Sequence, residues 1–181
     1  EVSDGTTSAT CTTTVTIVAD ATPIPVSGLV AYYPFNGNAN DATANGHNGT
    51  PLNGVALAPD RFGNPNAAYH FDGINDSIQL DSSVINPGAV SIASWFKRDS
   101  FTSSSSGSHS HDIIGGPTCS GDIILYFRIL PNDLAFGGQC NVPMVANNSP
   151  TPPVLDTAWH HVVATYSGSR IQIYLDNVLV N

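Results

Sequence analysis

A loop rich in asparagine and glycine holds the side chains best suited to chemistry. It reads "PFNGNANDATANGHNGT" over residues 34–50. Its candidate cation ligands are Asn36, Asn38, Asn40, Asp41 and Asn45. Calcium takes about six to eight oxygen ligands in flexible geometry, and Asp41 is the best single ligand because it carries the loop's only negative charge. The alternative is that asparagine and glycine serve only as turn formers, since both tolerate left-handed backbone conformations.

A second polar turn lies in "FDGINDSIQL" (71–80), with Asp72, Asn75 and Asp76. This composition predicts a β-turn between two strands, with Gly73 in a left-handed conformation. The functional alternative is that these three side chains contribute to a calcium or sugar site.

Histidines occur as two separate pairs. His109 and His111 lie in a serine-rich stretch, and in an extended segment both would share one face and chelate a transition metal. The alternative there is a solvated loop. His160 and His161 follow Trp159 at the start of a predicted strand, so they face opposite sides of the sheet. We expect one of them to pack in the core with a hydrogen-bonded ring nitrogen.

Aromatic residues are the other candidates for ligand contact. Trp95 and Trp159 lie in predicted strands, and we expect both in the core. An exposed ring for stacking on a sugar is expected instead near a loop, and the candidates are Phe101 and Phe136.

Catalytic patterns are absent from the sequence. Glycanases of jelly-roll shape use paired carboxylates, usually two glutamates. Here Glu1 is the only glutamate, and no predicted strand carries two aspartates on one face. The Gly-x-Ser-x-Gly and His-Glu-x-x-His motifs do not occur either. The chain is therefore predicted not to be an enzyme.

Composition narrows the partners. The 181 residues include 41% hydrophobic and 10% charged residues, with a net charge of −9 and only 5 lysines and arginines. Such a chain lacks the basic patch that nucleic acids and anionic membranes require. No apolar run of about 18 residues occurs, so no membrane insertion is expected.

The three cysteines are Cys11, Cys119 and Cys140. Cys119 and Cys140 flank an apolar strand-like run and can close one hairpin as a disulfide. Cys11 is then left over, either free or paired outside this chain. We interpret the compartment as oxidising and extracellular.

Strand patterns dominate the chain and helix patterns are almost absent. Many short alternating segments separated by turn residues predict an all-β, antiparallel two-sheet jelly-roll sandwich. The predicted strands are 12–20, 28–35, 67–73, 76–80, 88–97, 121–130, 159–167 and 170–176, with 177–181 beginning a further hairpin.

Three segments organise the sequence. Residues 21–27 contain prolines and show no strand or helix periodicity of hydrophobic residues, so we interpret them as a linker. Residues 1–20 hold one strand that is not stable alone. We interpret it as the terminal strand of an upstream module or as an exchanged strand. Its cysteine followed by alternating threonine and valine resembles the last strand of Ig-like or HYR-type modules. Residues 28–181 form the main domain.

Four motifs of the main domain occur in a familiar order. They are "GLVAYYPFNGNANDATANGHNGT", "DRFGNPNAAYHFDGINDSIQL", "SIASWFK" and "WHHVVATYSGSRIQIYLDNVLV". Together they resemble the LamG-like (laminin-G type, concanavalin A-like) jelly-roll domains of bacterial secreted proteins. The resemblance implies a module that binds glycans or proteins, and a structural calcium at the loop after the first strand. Family domains continue past the last motif, so we expect this one to be C-terminally incomplete, which leaves that calcium site without its usual C-terminal ligand.

The predicted function follows from these points. The chain is expected to be a calcium-assisted binding or adhesion module of a secreted or cell-surface protein, with a glycan or surface protein as partner. The alternative is a structural subunit of a head-to-tail fibre, in which an N-terminal strand completes the sandwich of the next copy.

Overall fold

The protein is described by a computed structural model over residues 2–3, 8–9, 27–84, 89–99, 111–115, 124–130, 133–139, 156–167 and 170–180. Within these ranges it contains thirteen β-strands and one short 3-10 helix, Ser82–Val84, and no α-helix. The strands are β1 (Val2–Ser3), β2 (Ser8–Ala9), β3 (Thr50–Leu52), β4 (Ala56–Ala58), β5 (Ala68–His70), β6 (Ser77–Gln79), β7 (Val90–Lys97), β8 (His111–Ile114), β9 (Ile124–Leu130), β10 (Asp133–Gln139), β11 (Trp159–Tyr166), β12 (Ile171–Leu175) and β13 (Val178–Leu179).

A four-stranded antiparallel sheet, in the order β13-β12-β11-β7, holds the core. Its strands alternate between two faces because successive side chains of a strand point to opposite sides. On one face Val162 lies opposite Leu175 and Ala164 lies opposite Ile173. Val162, Ala164 and Ile173 are almost fully buried. Full burial of a valine or isoleucine contributes about 1.5–3 kcal/mol, so this face is the main stabilising layer.

A three-stranded sheet, β10-β9-β8, lies against that core face. Ile113 and Ile114 of β8 pack on the buried cluster of β11 and β12. Every strand pair in the described residues is antiparallel. The prediction of an all-β antiparallel fold is confirmed. In the same ranges, no helix has the length and apolarity needed to span a membrane.

Two small hairpin-like pairs, β3-β6 and β4-β5, carry the loops of the N-terminal half of the domain. The predicted strand over 28–35, which precedes them, is wrong. This segment forms no ladder. Its backbone is bonded instead by loop side chains, since Tyr32 N–H donates to Asp41 at 3.0 Å and Asn45 donates to the carbonyl of Val30 at 2.8 Å.

Most of the other predicted strands are confirmed. Strands were predicted at β5, β6, β7, β9, β11, β12 and β13, and the structure has a strand at each of these places. The strand predicted over 12–20 lies outside the described residues. Strands β1, β2, β3, β4, β8 and β10 were not predicted.

Candidate functional site

Asp41 is the centre of the first loop. The residue is only 8% exposed. Its Oδ1 accepts hydrogen bonds from the N–H groups of Tyr32 and Thr43, at 3.0 and 2.8 Å. Its Oδ2 accepts from the Thr43 hydroxyl at 2.7 Å and from His47 N–H at 3.1 Å. Burial acts to raise the pKa of Asp41, but these bonds outweigh it and hold the pKa well below the ordinary range.

The asparagines of this loop also bind protein atoms. Asn38 Oδ1 accepts from Asn40 N–H at 2.8 Å, which is a local turn. Asn48 Oδ1 accepts from Asp41 N–H at 3.0 Å. Asn45 turns its amide NH₂ toward the carbonyls of residues 29 and 30, at 3.2 and 2.8 Å. The loop is therefore a cage of hydrogen bonds around a single carboxylate.

The acceptor sites of Asp41 are filled by protein donors in this arrangement. An ionised carboxylate has about four lone-pair sites, and four protein donors occupy them. Among the described residues, no group of three or more histidine, cysteine, aspartate or glutamate side chains is arranged to hold a metal. Calcium binding itself stays a prediction, and it would require Asp41 to exchange protein donors for the ion.

The second polar turn has the predicted local geometry. Gly73 has φ +75°. Asp72 accepts from Ile74 N–H at 2.8 Å, and Asp76 accepts from Asp72 N–H at 3.0 Å. Asn75 supplies its carbonyl to Asn53 Nδ2 at 2.7 Å. The side-chain oxygens of Asp72 and Asp76 thus bond within the turn, and whether this turn contacts a ligand stays a prediction.

His160 is the histidine that packs on the core side of the sheet, as expected for one member of the pair. Its side chain is 14% exposed. Its Nδ1 lies 2.8 Å from Asp176 Oδ2, and its Nε2 lies 2.8 Å from Asp156 Oδ1. Since carboxylates only accept, this arrangement favours the protonated ring, in which both nitrogens donate. Burial acts to lower the pKa of His160, but both carboxylates raise it, and the net pKa lies above its ordinary value.

The opposite face of the sheet carries an exposed aromatic layer. The prediction that Trp95 lies in the core is wrong, because the alternation of β7 places Phe96 inward and leaves Trp95 43% exposed. Its ring lies 4.9 Å from that of His161, its register partner on β11. Trp159 is half-buried and shares its face of β11 with His161, away from the buried core residues of that strand, so the prediction that it lies in the core is wrong as well.

A loop between β4 and β5 lies over this layer. Arg61 Cζ is 4.2 Å from the ring centroid of Phe62 and 4.4 Å from that of Trp95. His70, at the end of β5, bonds Asp99 beyond β7 at 2.8 Å. The sequence interpretation missed Arg61 and Phe62. The available signal was a large aromatic residue inside a polar turn, "DRFGNP".

Several residues predicted for binding, metal coordination or a disulfide lie outside the described residues or away from the surfaces described above. Cys11, Cys119, Cys140, Phe101 and His109 lie outside the described residues. The backbone of His111 begins β8, and that of Phe136 lies in β10 opposite Phe127. Phe136 is thus in the middle of a strand rather than near a loop.

The fold defines the class of protein: two antiparallel β-sheets packed against each other. A loop places Arg61 and Phe62 beside Trp95 on the outer face of one sheet. A sequence profile described as the concanavalin A-like lectin/glucanases superfamily (Laminin_G_3) matches residues 71–181. The chain belongs to this family. Searches of curated proteins and of solved structures found no match.

Proposed function

We propose that this chain is a non-catalytic binding module of a secreted or cell-surface protein, and that it recognises a glycan or a surface protein. The observation that carries the proposal is the family match over residues 71–181, since the family groups lectins with glucanases. The exposed layer of Arg61, Phe62 and Trp95 supports the binding alternative, because exposed aromatic residues beside a polar loop are typical of recognition surfaces.

The carboxylates support binding rather than glycan cleavage. A glycosidase needs one carboxylic acid that is protonated near neutral pH. Asp156 and Asp176 share His160, but the pKa of each is lowered from its ordinary value. For Asp156 the main cause is the hydrogen bond from His160, and for Asp176 that bond and the His161 N–H outweigh burial. Neither is suited to be a general acid.

A serine–histidine pair also lacks the geometry of a nucleophile. Ser83 Oγ donates to Asp81 Oδ1 at 2.7 Å, and it lies 3.4 Å from His47 Nδ1. The hydroxyl proton is directed at a carboxylate rather than at a base that could accept it.

The test is an array of immobilised glycans and host surface proteins, followed by an assay for reducing ends with every bound glycan. We expect selective binding without release of reducing ends. Release of reducing sugar would show that the chain is an enzyme rather than a non-catalytic binding module. An array on which nothing binds would contradict the proposed binding function.

Calcium assistance is a separate proposal, supported by the family resemblance and by the oxygen-rich loop. Binding would rearrange the bonds around Asp41, so calcium should raise the melting temperature of the chain, as any ligand of the folded state does. Equal melting temperatures in calcium and in chelator would contradict the proposal that the folded chain binds calcium.

A head-to-tail fibre is the second candidate. One observation favours it: β13 is at the edge of the described four-stranded sheet, and Val178 and Leu179 are 64% and 44% exposed. An apolar edge strand is a template for pairing with another chain. Deleting residues 1–20 should then abolish assembly seen by light scattering. A monomeric full-length chain at high concentration would contradict this candidate.

The setting of the module is proposed on the sequence alone. It comprises an upstream Ig-like or HYR-like module, a bacterial source, a Cys119–Cys140 disulfide and an external partner for Cys11. Mass spectrometry of non-reduced peptides from secreted protein tests the disulfides directly, and a free Cys119 thiol would contradict the pairing.

A further inference from the structure

Arg61 is held in an unusual position for a surface arginine. Its guanidinium contacts the rings of Phe62 and Trp95, at 4.2 and 4.4 Å. Trp95 in turn is backed by His161 across β7 and β11. Contacts between a cation and aromatic faces fix the guanidinium in place without using a carboxylate.

Arg61 forms no ion pair with a carboxylate in the described part of the chain, although, after the hydrogen bond from Asn64, its charge is one of the causes that lower the pKa of the neighbouring Asp60. It takes part in no hydrogen bond and no ion pair there. Its neighbour Asp60 is directed elsewhere, because its carboxylate accepts from Phe62 N–H at 2.8 Å and from Asn64 N–H at 2.9 Å. In a protein with 14 acidic and 5 basic residues other than histidine, a guanidinium that makes no hydrogen bond in the described ranges has donors available for a ligand.

The loop that presents Arg61 is pre-organised. Asn64 Nδ2 adds a further bond to Asp60 at 3.0 Å, and Gly63 supplies the left-handed turn with φ +83°. The bond from His70 to Asp99 attaches the end of the same hairpin to the end of β7. A site that is ordered before binding loses less conformational entropy when the ligand arrives.

Phe62 supplies the second half of the site. Its side chain lies next to the guanidinium, and the residue is 73% exposed. An open aromatic ring stacks on the apolar C–H face of a sugar, and a guanidinium binds a planar carboxylate through two parallel hydrogen bonds.

From this combination we infer that Arg61 and Phe62 form a binding site for a saccharide residue that carries a carboxylate. The inference rests on the proposed glycan-binding function and names its ligand class. The net charge of −9 repels an anionic ligand at long range, so binding depends on close contact with Arg61 rather than on the overall field.

The test compares matched ligand pairs in solution. Trigalacturonate is paired with its methyl ester, and sialyllactose is paired with the methyl ester of its sialic acid. Each pair differs in the carboxylate, so a preference for the acidic member reports the guanidinium contact. Tryptophan fluorescence is a suitable readout because Trp95 touches Arg61.

Variants of the full chain separate charge from packing. Arg61→Met keeps an elongated side chain over the rings and removes the cation, so binding of the acidic sugar should weaken by about tenfold or more. Phe62→Ala should weaken it by about threefold to tenfold. Arg170→Met changes the charge by the same amount at an exposed position outside the site, and should leave binding unchanged.

The outcomes are distinguishable. Preferential binding of an acidic sugar that Arg61→Met loses, while its melting temperature stays close to that of the unchanged chain, supports the inference. Equal binding of the acidic and neutral members, equal binding by Arg61→Met, or binding of neither acidic sugar overturns it. If the array still finds another glycan in that case, the proposed function survives without this site, whereas an empty array removes both.

Discussion

At the residue scale, Asp41 shows how one buried carboxylate organises an irregular segment. Four donors from 32, 43 and 47 converge on it, so residues 29–48 are held without a ladder. A buried charge is stable only when its hydrogen-bonding capacity is satisfied, and here the backbone supplies most of the donors.

Replacing Asp41 by asparagine should lower the free energy of unfolding by about 2 kcal/mol, because an NH₂ group would face two donors. Urea unfolding followed by tryptophan fluorescence measures the change. The matched control is Asp72→Asn, an exposed aspartate of the second turn, which should change stability by less than about 0.5 kcal/mol. Equal effects of the two substitutions would contradict the role of Asp41.

The same residue predicts a pH dependence. The folded-state pKa of Asp41 is depressed, so its contribution is present above the unfolded-state pKa of about 4 and is lost as the pH falls toward the folded-state pKa. The stability difference between the unchanged chain and Asp41→Asn should therefore shrink below about pH 4. A difference that stays constant down to about pH 2 would contradict this sign.

For His160 the pH dependence has the opposite sign: its contribution to stability is lost as the pH rises. Its folded-state pKa is raised, so its contribution is complete below the unfolded-state value of 6.5 and is lost as the pH rises through the folded-state pKa. The carboxylates of Asp156 and Asp176 have lowered pKa values, so the acid limit of the window lies near their ordinary value of 3.8. His160→Gln should lower the free energy of unfolding by about 1 kcal/mol near pH 5, and by less at about pH 9.

Thermal unfolding of His160→Gln across this pH range is the measurement. His70→Gln is the control, since His70 is exposed and has one carboxylate partner, Asp99. A loss in His160→Gln that is larger at pH 9 than at pH 5 would contradict the imidazolium.

At the scale of elements, the first loop packs closely on β6. A Cβ added at Gly49 would lie 2.7 Å from Ile78 Cγ2 and 3.0 Å from the backbone oxygen of Ala39. The Gly49 N–H also donates to that same oxygen at 2.8 Å, which fixes Gly49 against the earlier part of the loop while its Cα faces Ile78 of β6. The loop and β6 therefore behave as one packed unit.

Gly49→Ala should lower the free energy of unfolding by about 1–3 kcal/mol through overpacking. Gly37→Ala is the matched control, because a Cβ there meets nothing within 4 Å and only the φ of +81° opposes it. Its expected cost is about 1 kcal/mol. Chemical denaturation of both variants measures the difference, and a smaller loss at Gly49 than at Gly37 would contradict the close approach.

Strands with clear alternation could be predicted from sequence, and segments shaped by side-chain bonds could not. In β7 every second residue is more exposed, and in β11 Val162 and Ala164 are buried two residues apart, so enough of a two-residue period is present to locate both strands from sequence. The segment 28–35 has a strand-like composition, but its bonds go to Asp41 and Asn45, which no local pattern reveals. β10 was not predicted because Gly137 and Gly138 are unfavourable in strands, and this strand depends on its pairing with β9.

The candidate site was harder to predict for the same reason. Asp41 was identified as the key residue of its loop. Its donors lie within nine residues of it, but no sequence pattern shows which of the nearby N–H groups turn toward the carboxylate. Trp95 was expected inside because tryptophan is usually buried, whereas its face of β7 depends on which side receives the second sheet. The contact with Arg61 joins two elements that are distant in sequence.

At the scale of the whole molecule, the chain combines an acidic surface with an arginine held between aromatic rings on the face of the sheet opposite to the core. The layer facing the three-stranded sheet supplies stability, and the opposite face carries the exposed Trp95 beneath the Arg61 loop. This division of labour between two faces is what the proposed binding function requires of the fold.

The most direct test of that function is an NMR titration of the isotope-labelled chain with a glycan that binds on the array. The account predicts saturable shifts that cluster at residues 60–62, at the Trp95 indole and at His161, with no chemical change in the sugar. Hydrolysis of the sugar during the titration would contradict the proposed function, and shifts confined to other surfaces would contradict the site at Arg61 and Phe62.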